Sequence, residues 1–321
     1  MSRPIALRAA AGDRDGRAVT PDATEQRQRR RSRSDRGTLR LQERDDDLLL
    51  TLFDNQAMAR GQIEAVFFSS TARCNARLKQ LLDAGYLVRH YLPVPPGTSV
   101  QGLQAIYTPG RNAYPRIALR RELPLAEVRK RSRADRSPLY LTHTLEIVRF
   151  RILLTQAVER NPDWTLDLWL GEQDTRHEYD LRAVDNGQGR PGRWRREVFR
   201  PDGFARLVRT GVDDQAGQDE ERSFFIEIDL GHTSSREWTN KLRTHHRYGE
   251  SGLFTEVYGG SAFQTLVVTT SARRRDNLRQ IAVEEGTGFS RFSTFADEEA
   301  AGLLGPCWYL PEGGEEPVPL V

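Results

Sequence analysis

The chain has almost no cysteine, almost no lysine and no long apolar run. Cys74 and Cys307 are its only cysteines, too few for a disulfide framework or a cysteine-based zinc site, and that usage fits a reducing cytoplasm. No stretch of ~18 apolar residues occurs, so no membrane span is expected. The N-terminus lacks the apolar core of a secretory signal. There is no Walker-type glycine-rich loop to cradle a nucleotide triphosphate, and no Gly-x-Ser-x-Gly elbow to present a serine nucleophile.

What is present points to two domains, the usual expectation for 321 residues. Hydrophobic residues make up 37% of the chain, enough to bury a sizeable core. The net charge is only +3, but it is unevenly spread. Arg27 to Arg36 is a dense basic run, and Arg129 to Arg136 is a second. Such runs attract phosphate backbones without reading sequence, and they are equally compatible with a solvated, disordered arm. Nearly all the positive charge is arginine, since Lys79, Lys130 and Lys241 are the only lysines. A position that keeps lysine in such a chain draws notice, because its compact, tunable ammonium cannot be copied by a guanidinium.

Residues 1–38 read as a disordered, Arg-rich arm. Residues 39–120 read as three helices and a two-stranded hairpin. Leu48, Leu49, Leu52 and Phe53 recur at helical spacing behind Asp45-Asp46-Asp47, acids suited to a helix's first turn. Ile63, Val66 and Phe67 mark a second helix. Ser69-Ser70-Thr71 caps a third, from about Ala72 to Asp83, with Ala84-Gly85 as its stop. Strands follow at Tyr86 to Leu92 and Leu103 to Thr108, joined by the turn Pro93 to Gly97. This order is that of a winged helix-turn-helix. In that geometry Arg73, Arg77 and Lys79 on the third helix meet phosphates or base edges of double-stranded DNA, and Arg89 sits on the wing. A protein-docking or dimerisation role is the alternative. Residues 121–138 read as a basic linker.

Residues 139–321 read as helix, three strands, helix, strand, helix. The long helix runs from Leu139 to about Arg160, where Asn161-Pro162 stops it. Strands are expected at Trp164 to Leu170, on both sides of Pro201-Asp202, at Ser223 to Leu230 and at Phe263 to Thr270. Further helices are expected at Ser234 to Tyr248 and Ala272 to Glu284, with a short strand near Phe289 to Phe295. Gly-rich (Asn186 to Arg193) and acidic (Val212 to Arg222) stretches are expected as loops.

The chemistry lies in Arg200-Pro201-Asp202-Gly203 and Phe224-Phe225-Ile226-Glu227-Ile228-Asp229-Leu230-Gly231. Glu227 and Asp229 are two apart, so on a strand they leave the same face. Carboxylates converging from adjacent strands can hold a hard divalent cation such as Mg2+ or Mn2+, which can activate water against a phosphodiester. Trp238, Lys241, His245 and Tyr248 share one face of the following helix. Tyr248 reads as packing before it reads as a DNA-linking nucleophile. None of the six histidines, His90, His143, His177, His232, His245 and His246, falls in a His-hydrophobic-His pattern, and His143 reads as capping or packing its helix. A histidine-based relaxase or HNH nuclease is therefore not expected.

This element order and these acids resemble the PD-(D/E)XK nuclease superfamily over about residues 140–285. The resemblance implies an α/β (α+β) αβββαβ domain in which Asp202 and Glu227 bind metal. The lysine expected two residues after the glutamate is replaced by Asp229, which reads either as a third ligand or as a sign of lost catalysis. Lys241 on the next helix reads as its displaced substitute. The winged helix, the basic linker, Thr142-His143-Thr144-Leu145, Arg200-Pro201-Asp202-Gly203 and Lys241-Leu242 together resemble the replication-relaxation family over about residues 40–310. That resemblance implies a role in replication or DNA relaxation of a plasmid or mobile element. The expectation is a cytoplasmic, metal-dependent DNA nickase or endonuclease with catalytic Asp202, Glu227, Asp229 and Lys241. Its partners would be DNA, a second copy of the chain and plasmid replication or transfer proteins, with no membrane. The alternative is a non-catalytic replication initiator or transcription regulator with an inactive nuclease-like domain.

Overall fold

The N-terminal helices form where caps and apolar spacing demand them. In the computed structural model, which describes residues 39–93, 103–132, 137–182, 194–209 and 220–321, the first helix is Glu43–Asp54 and buries Leu48, Leu49, Leu52 and Phe53. The helix Arg60–Phe67 follows. Ser70 caps the helix Thr71–Asp83, accepting from the Arg73 N–H, and Cys74, Leu78 and Leu81 are its buried face. Strands β2 (Leu87–Pro93) and β3 (Leu103–Pro109) pair antiparallel. A short strand β1 (Met58–Ala59), too brief to leave a periodic signal, adds to β3. The expected arm, the turn after Pro93, the Gly-rich stretch and most of the acidic loop lie outside the described residues.

The charged segment expected as a linker contains a helix, Leu125–Arg131, preceded by another, Tyr114–Arg120. Buried Ile117 and Val128 anchor them. One buried residue per short helix, among arginines and exposed apolar neighbours, leaves no clear periodicity.

The long helix Pro138–Glu159, capped by Ser137, packs on a five-stranded sheet of order β10-β9-β8-β7-β4. Strand β4 is Thr165–Gly171, β7 is Gly203–Arg209, β8 is Glu220–Asp229, β9 is Gln264–Thr269 and β10 is Ser290–Thr294. The β4–β7 and β7–β8 pairs are antiparallel, while β9 and β10 continue parallel to β8. The strand before Pro201, β6 (Trp194–Phe199), does not join this sheet. It pairs with β5 (His177–Arg182) in a separate ribbon. The alternation of β8 divides its side chains. Phe224, Ile226 and Ile228 enter the core with Phe150, Leu154 and Trp308. Phe225, Glu227 and Asp229 leave the opposite face, where the helix Ser235–Glu250 lies. Leu41–Val321 form one compact unit. No helix among the described residues is long and apolar enough to cross a membrane.

Candidate functional site

Pro201-Asp202-Gly203 opens β7. The Asp202 N–H donates to the Ile226 carbonyl (3.0 Å), and Gly203 pairs with Ile226. A Cβ at Gly203 would lie 3.3 Å from the Trp169 ring and 3.4 Å from the Leu170 carbonyl, so glycine keeps the strand start close to β4. One step further along β8, the Ile228 N–H donates to Asp202 Oδ2 at 2.8 Å. The carboxylate thus extends the ladder where β7's backbone ends.

His143, from the long helix, closes this corner. Its Nε2 lies 3.0 Å from the Ile228 carbonyl and 3.2 Å from Asp202 Oδ2. Both neighbours only accept, so Nε2 carries a proton. Burial opposes a charge on the ring, but the Asp202 hydrogen bond and charge overcome it and raise the His143 pKa to about 9. Burial likewise works against the Asp202 carboxylate, and Lys241 and His143 outweigh it, holding Asp202 well below the usual carboxylate range.

Glu227 is completely buried. His245 Nε2 donates to its Oε1 at 2.7 Å, and the Thr265 hydroxyl meets His245 Nδ1 at 3.0 Å. Glu227 Oε2 is ion-paired with the Lys241 ammonium, its one partner among the described residues. Lys241 lies 5.2 Å above the Trp238 ring, and its side chain keeps 31% exposure. Burial disfavours its charge, yet Asp202, Glu227 and Asp229 together push its pKa upward. One amine therefore answers to carboxylates from β7 and β8.

Asp229 has a different setting. Its oxygens accept from Trp238 Nε1 (3.2 Å), the Thr269 hydroxyl (2.8 Å) and Arg274 Nε (2.7 Å). Burial opposes its charge, and these donors lower its pKa. It acts on Lys241 only through space. Among the described residues, no group of three or more His, Cys, Asp or Glu is arranged to hold a metal ion. A two-carboxylate set is a separate matter, because Mg2+ keeps several waters and needs only one or two carboxylates. The buried Oε2 of Glu227, balanced by the Lys241 ammonium alone, is the atom that suits such an ion once that amine moves aside.

The structure thus brings Asp202, Glu227 and Lys241 together and leaves Asp229 beside them, fully hydrogen-bonded. His143 and Arg274 join the site without a sequence expectation, and His245, expected on the Lys241 face, gains a role as the partner of Glu227. A signal for His245 existed in its i,i+4 spacing from Lys241. His143 is far away in sequence, and Thr142-His143-Thr144-Leu145, though part of the family resemblance, gave no sign that it meets Asp202. Tyr248 is fully buried, its ring stacked 4.1 Å from Phe199, out of reach of a nucleic-acid strand.

The basic residues expected to meet DNA divide similarly. Arg73 and Lys79 are exposed on the helix Thr71–Asp83, and Arg89 is exposed on β2, 5.1 Å above the Tyr91 ring. Arg77 instead donates to buried Asp45, Nε to Oδ1 at 2.9 Å, and its side chain is only 11% exposed.

A family model described as replication-relaxation matches residues 49–262, more than half of the chain, including His143, Asp202, Glu227, Asp229, Lys241 and His245. No curated protein and no solved structure matches.

Proposed function

The chain belongs to the replication-relaxation family, and from that premise we propose that it binds double-stranded DNA and nicks or cuts it with a divalent metal ion during replication or relaxation of a plasmid or mobile element. We read residues 39–120 as a winged helix, supported by the helices up to Asp83 and the antiparallel β1-β3-β2 sheet. We read residues 139–321 as a PD-(D/E)XK-like domain, supported by the order of long helix, β4, β7, β8, helix and β9. The reading places the protein in the cytoplasm, acting as a homodimer or beside other replication or transfer proteins.

The observation that carries the catalytic part is the pocket where Asp202 and Glu227 share the Lys241 ammonium. Asp202 and Glu227 Oε2 would hold Mg2+ or Mn2+, which when bound supplies Lewis-acid stabilisation of a phosphoryl oxygen and an activated water. Lys241 swings from Glu227 toward the scissile phosphate and stabilises its developing charge. His143 and the Ile228 N–H fix Asp202, while His245 and Thr265 fix Glu227, so both carboxylates are oriented before substrate arrives. Asp229 takes no ligand role in this reading. It anchors Trp238, and through it the helix that carries Lys241.

The test is nicking of supercoiled plasmid with Mg2+ or Mn2+. We expect Asp202→Ala to abolish it, and full activity in that variant would remove the site. A second reading, a regulator without catalysis, draws on the same pocket. Each carboxylate already has a cation beside it, and Asp229 stands where the related nucleases keep lysine. Calorimetry separates the two: divalent-ion binding lost in Glu227→Gln supports the enzyme, and no such binding supports the regulator.

A further inference from the structure

A cavity of about 430 Å³ is walled by the end of the first helix, the helix Leu125–Arg131, the long helix and the end of β4. Three guanidiniums line it, from Arg121, Arg131 and Arg151. Two are neutralised. Arg121 is ion-paired with Asp54, and Arg131 with Asp174 at 3.1 Å and Glu127 at 3.1 Å. Arg151 is not. Its hydrogen-bond partner is the neutral Asn55 Oδ1 at 3.1 Å, and its guanidinium carbon lies 5.7 Å from the Trp169 ring centre. Asp54 acts on it through space, but that carboxylate is already committed to Arg121. A partly buried cation without its own carboxylate is costly unless an anion completes it.

We propose that this cavity binds a nucleoside 5′-monophosphate, with the phosphate on Arg151. The charge of the lining calls for an anion, and a guanidinium is suited to bidentate contact with phosphate. The volume falls within the range of small-molecule sites, about 300–1,000 Å³. Trp169 and Phe53 supply an apolar wall for a planar base, and Asp54 and Asp174 put acceptors near the ligand's hydroxyl and amine groups. The same chemistry could be offered by a free nucleotide or by the 5′-phosphorylated end of a cut strand. The proposal stands apart from the nuclease reading, since none of these residues belongs to the pocket around Glu227.

Isothermal titration of the full chain with dAMP tests it. Saturable binding is expected, at least about tenfold tighter than inorganic phosphate and undetectable for deoxyadenosine. Arg151→Gln, which can still bond Asn55, should lose at least about tenfold. Arg151→Lys keeps the charge and should retain more of the binding, and Asp202→Asn should bind as the parent does. A tetranucleotide competing with dAMP only when 5′-phosphorylated would assign the ligand to strand ends, whereas binding of dAMP alone would assign it to free nucleotide. No dAMP binding, or undiminished binding by an Arg151→Gln protein that melts like the parent, overturns the proposal.

Discussion

His143 shows how one residue can tie a site to the solution's pH. Its folded pKa is raised to about 9 from about 6.5 for an unperturbed imidazole. A raised pKa means that the folded state holds the proton more tightly, so the stabilisation is complete below about pH 6.5 and is lost as pH rises through about 9. The shift corresponds to about 3 kcal/mol. The melting-temperature gap between the parent and His143→Gln should therefore be widest near pH 6 and close by about pH 10. An unchanged gap across that range would mean that His143 is neutral in the fold. Asp202 works with the opposite sign. Its depressed pKa contributes stability above the ordinary carboxylate pKa and loses it only in strong acid. Arg77 makes a second residue-scale case. It neutralises a completely buried Asp45, and removing one member of such a pair strands the other charge. Arg77→Ala should lower stability by about 3 kcal/mol, measured by urea unfolding, with any loss of DNA affinity following from unfolding.

At the scale of elements, the helix Ser235–Glu250 decides the site, because it presents Trp238, Lys241 and His245 to β8. It is anchored at its start by a reciprocal cap. Ser234 accepts from the Glu237 N–H, and Glu237 reaches back to the Ser234 N–H at 2.8 Å. Ser234→Ala should cost about 1 kcal/mol and lower the melting temperature by about 2–4 °C. If the cap also sets the position of Lys241, nicking should fall further than the lost stability explains, which single-turnover assays well below the melting range would detect. Leu242 fixes the rotation of the same helix, fully buried against Val267, Leu278 and Phe292. Leu242→Ala should cost about 2–5 kcal/mol and perturb the site along with the fold, readable by denaturant unfolding.

At the scale of the whole molecule, Arg73, Lys79 and Arg89 lie exposed on the small N-terminal sheet and its helices, and Asp202 and Glu227 lie at the end of the large sheet. Under the DNA-binding reading, removing Arg73, Lys79 or Arg89 should each weaken duplex binding and flatten the plot of log affinity against log salt by up to about one unit, measured by fluorescence anisotropy. Arg77→Ala should leave that slope intact in the folded protein, because its guanidinium is already spent on Asp45.

Much local order was legible in the sequence: the cap at Ser70, the helix beginning at Ser234, the stop after Arg160, the alternation of Phe224 to Asp229, and the shared face of Trp238, Lys241 and His245. Each depends on residues within a few positions of one another, and backbone geometry makes their spacing readable. Short elements such as β1 and Leu125–Arg131 escaped because two to seven residues hold too few periods to stand out. The partnerships inside the site were decided by the tertiary structure alone. The β7–β8 register aligns Asp202 with the Ile228 N–H, and the long helix delivers His143 to that corner. Arg274 claims Asp229 before Lys241 can. Which cation answers which carboxylate depends on how separate elements pack, and the spacing of residues along one chain segment carries no record of that.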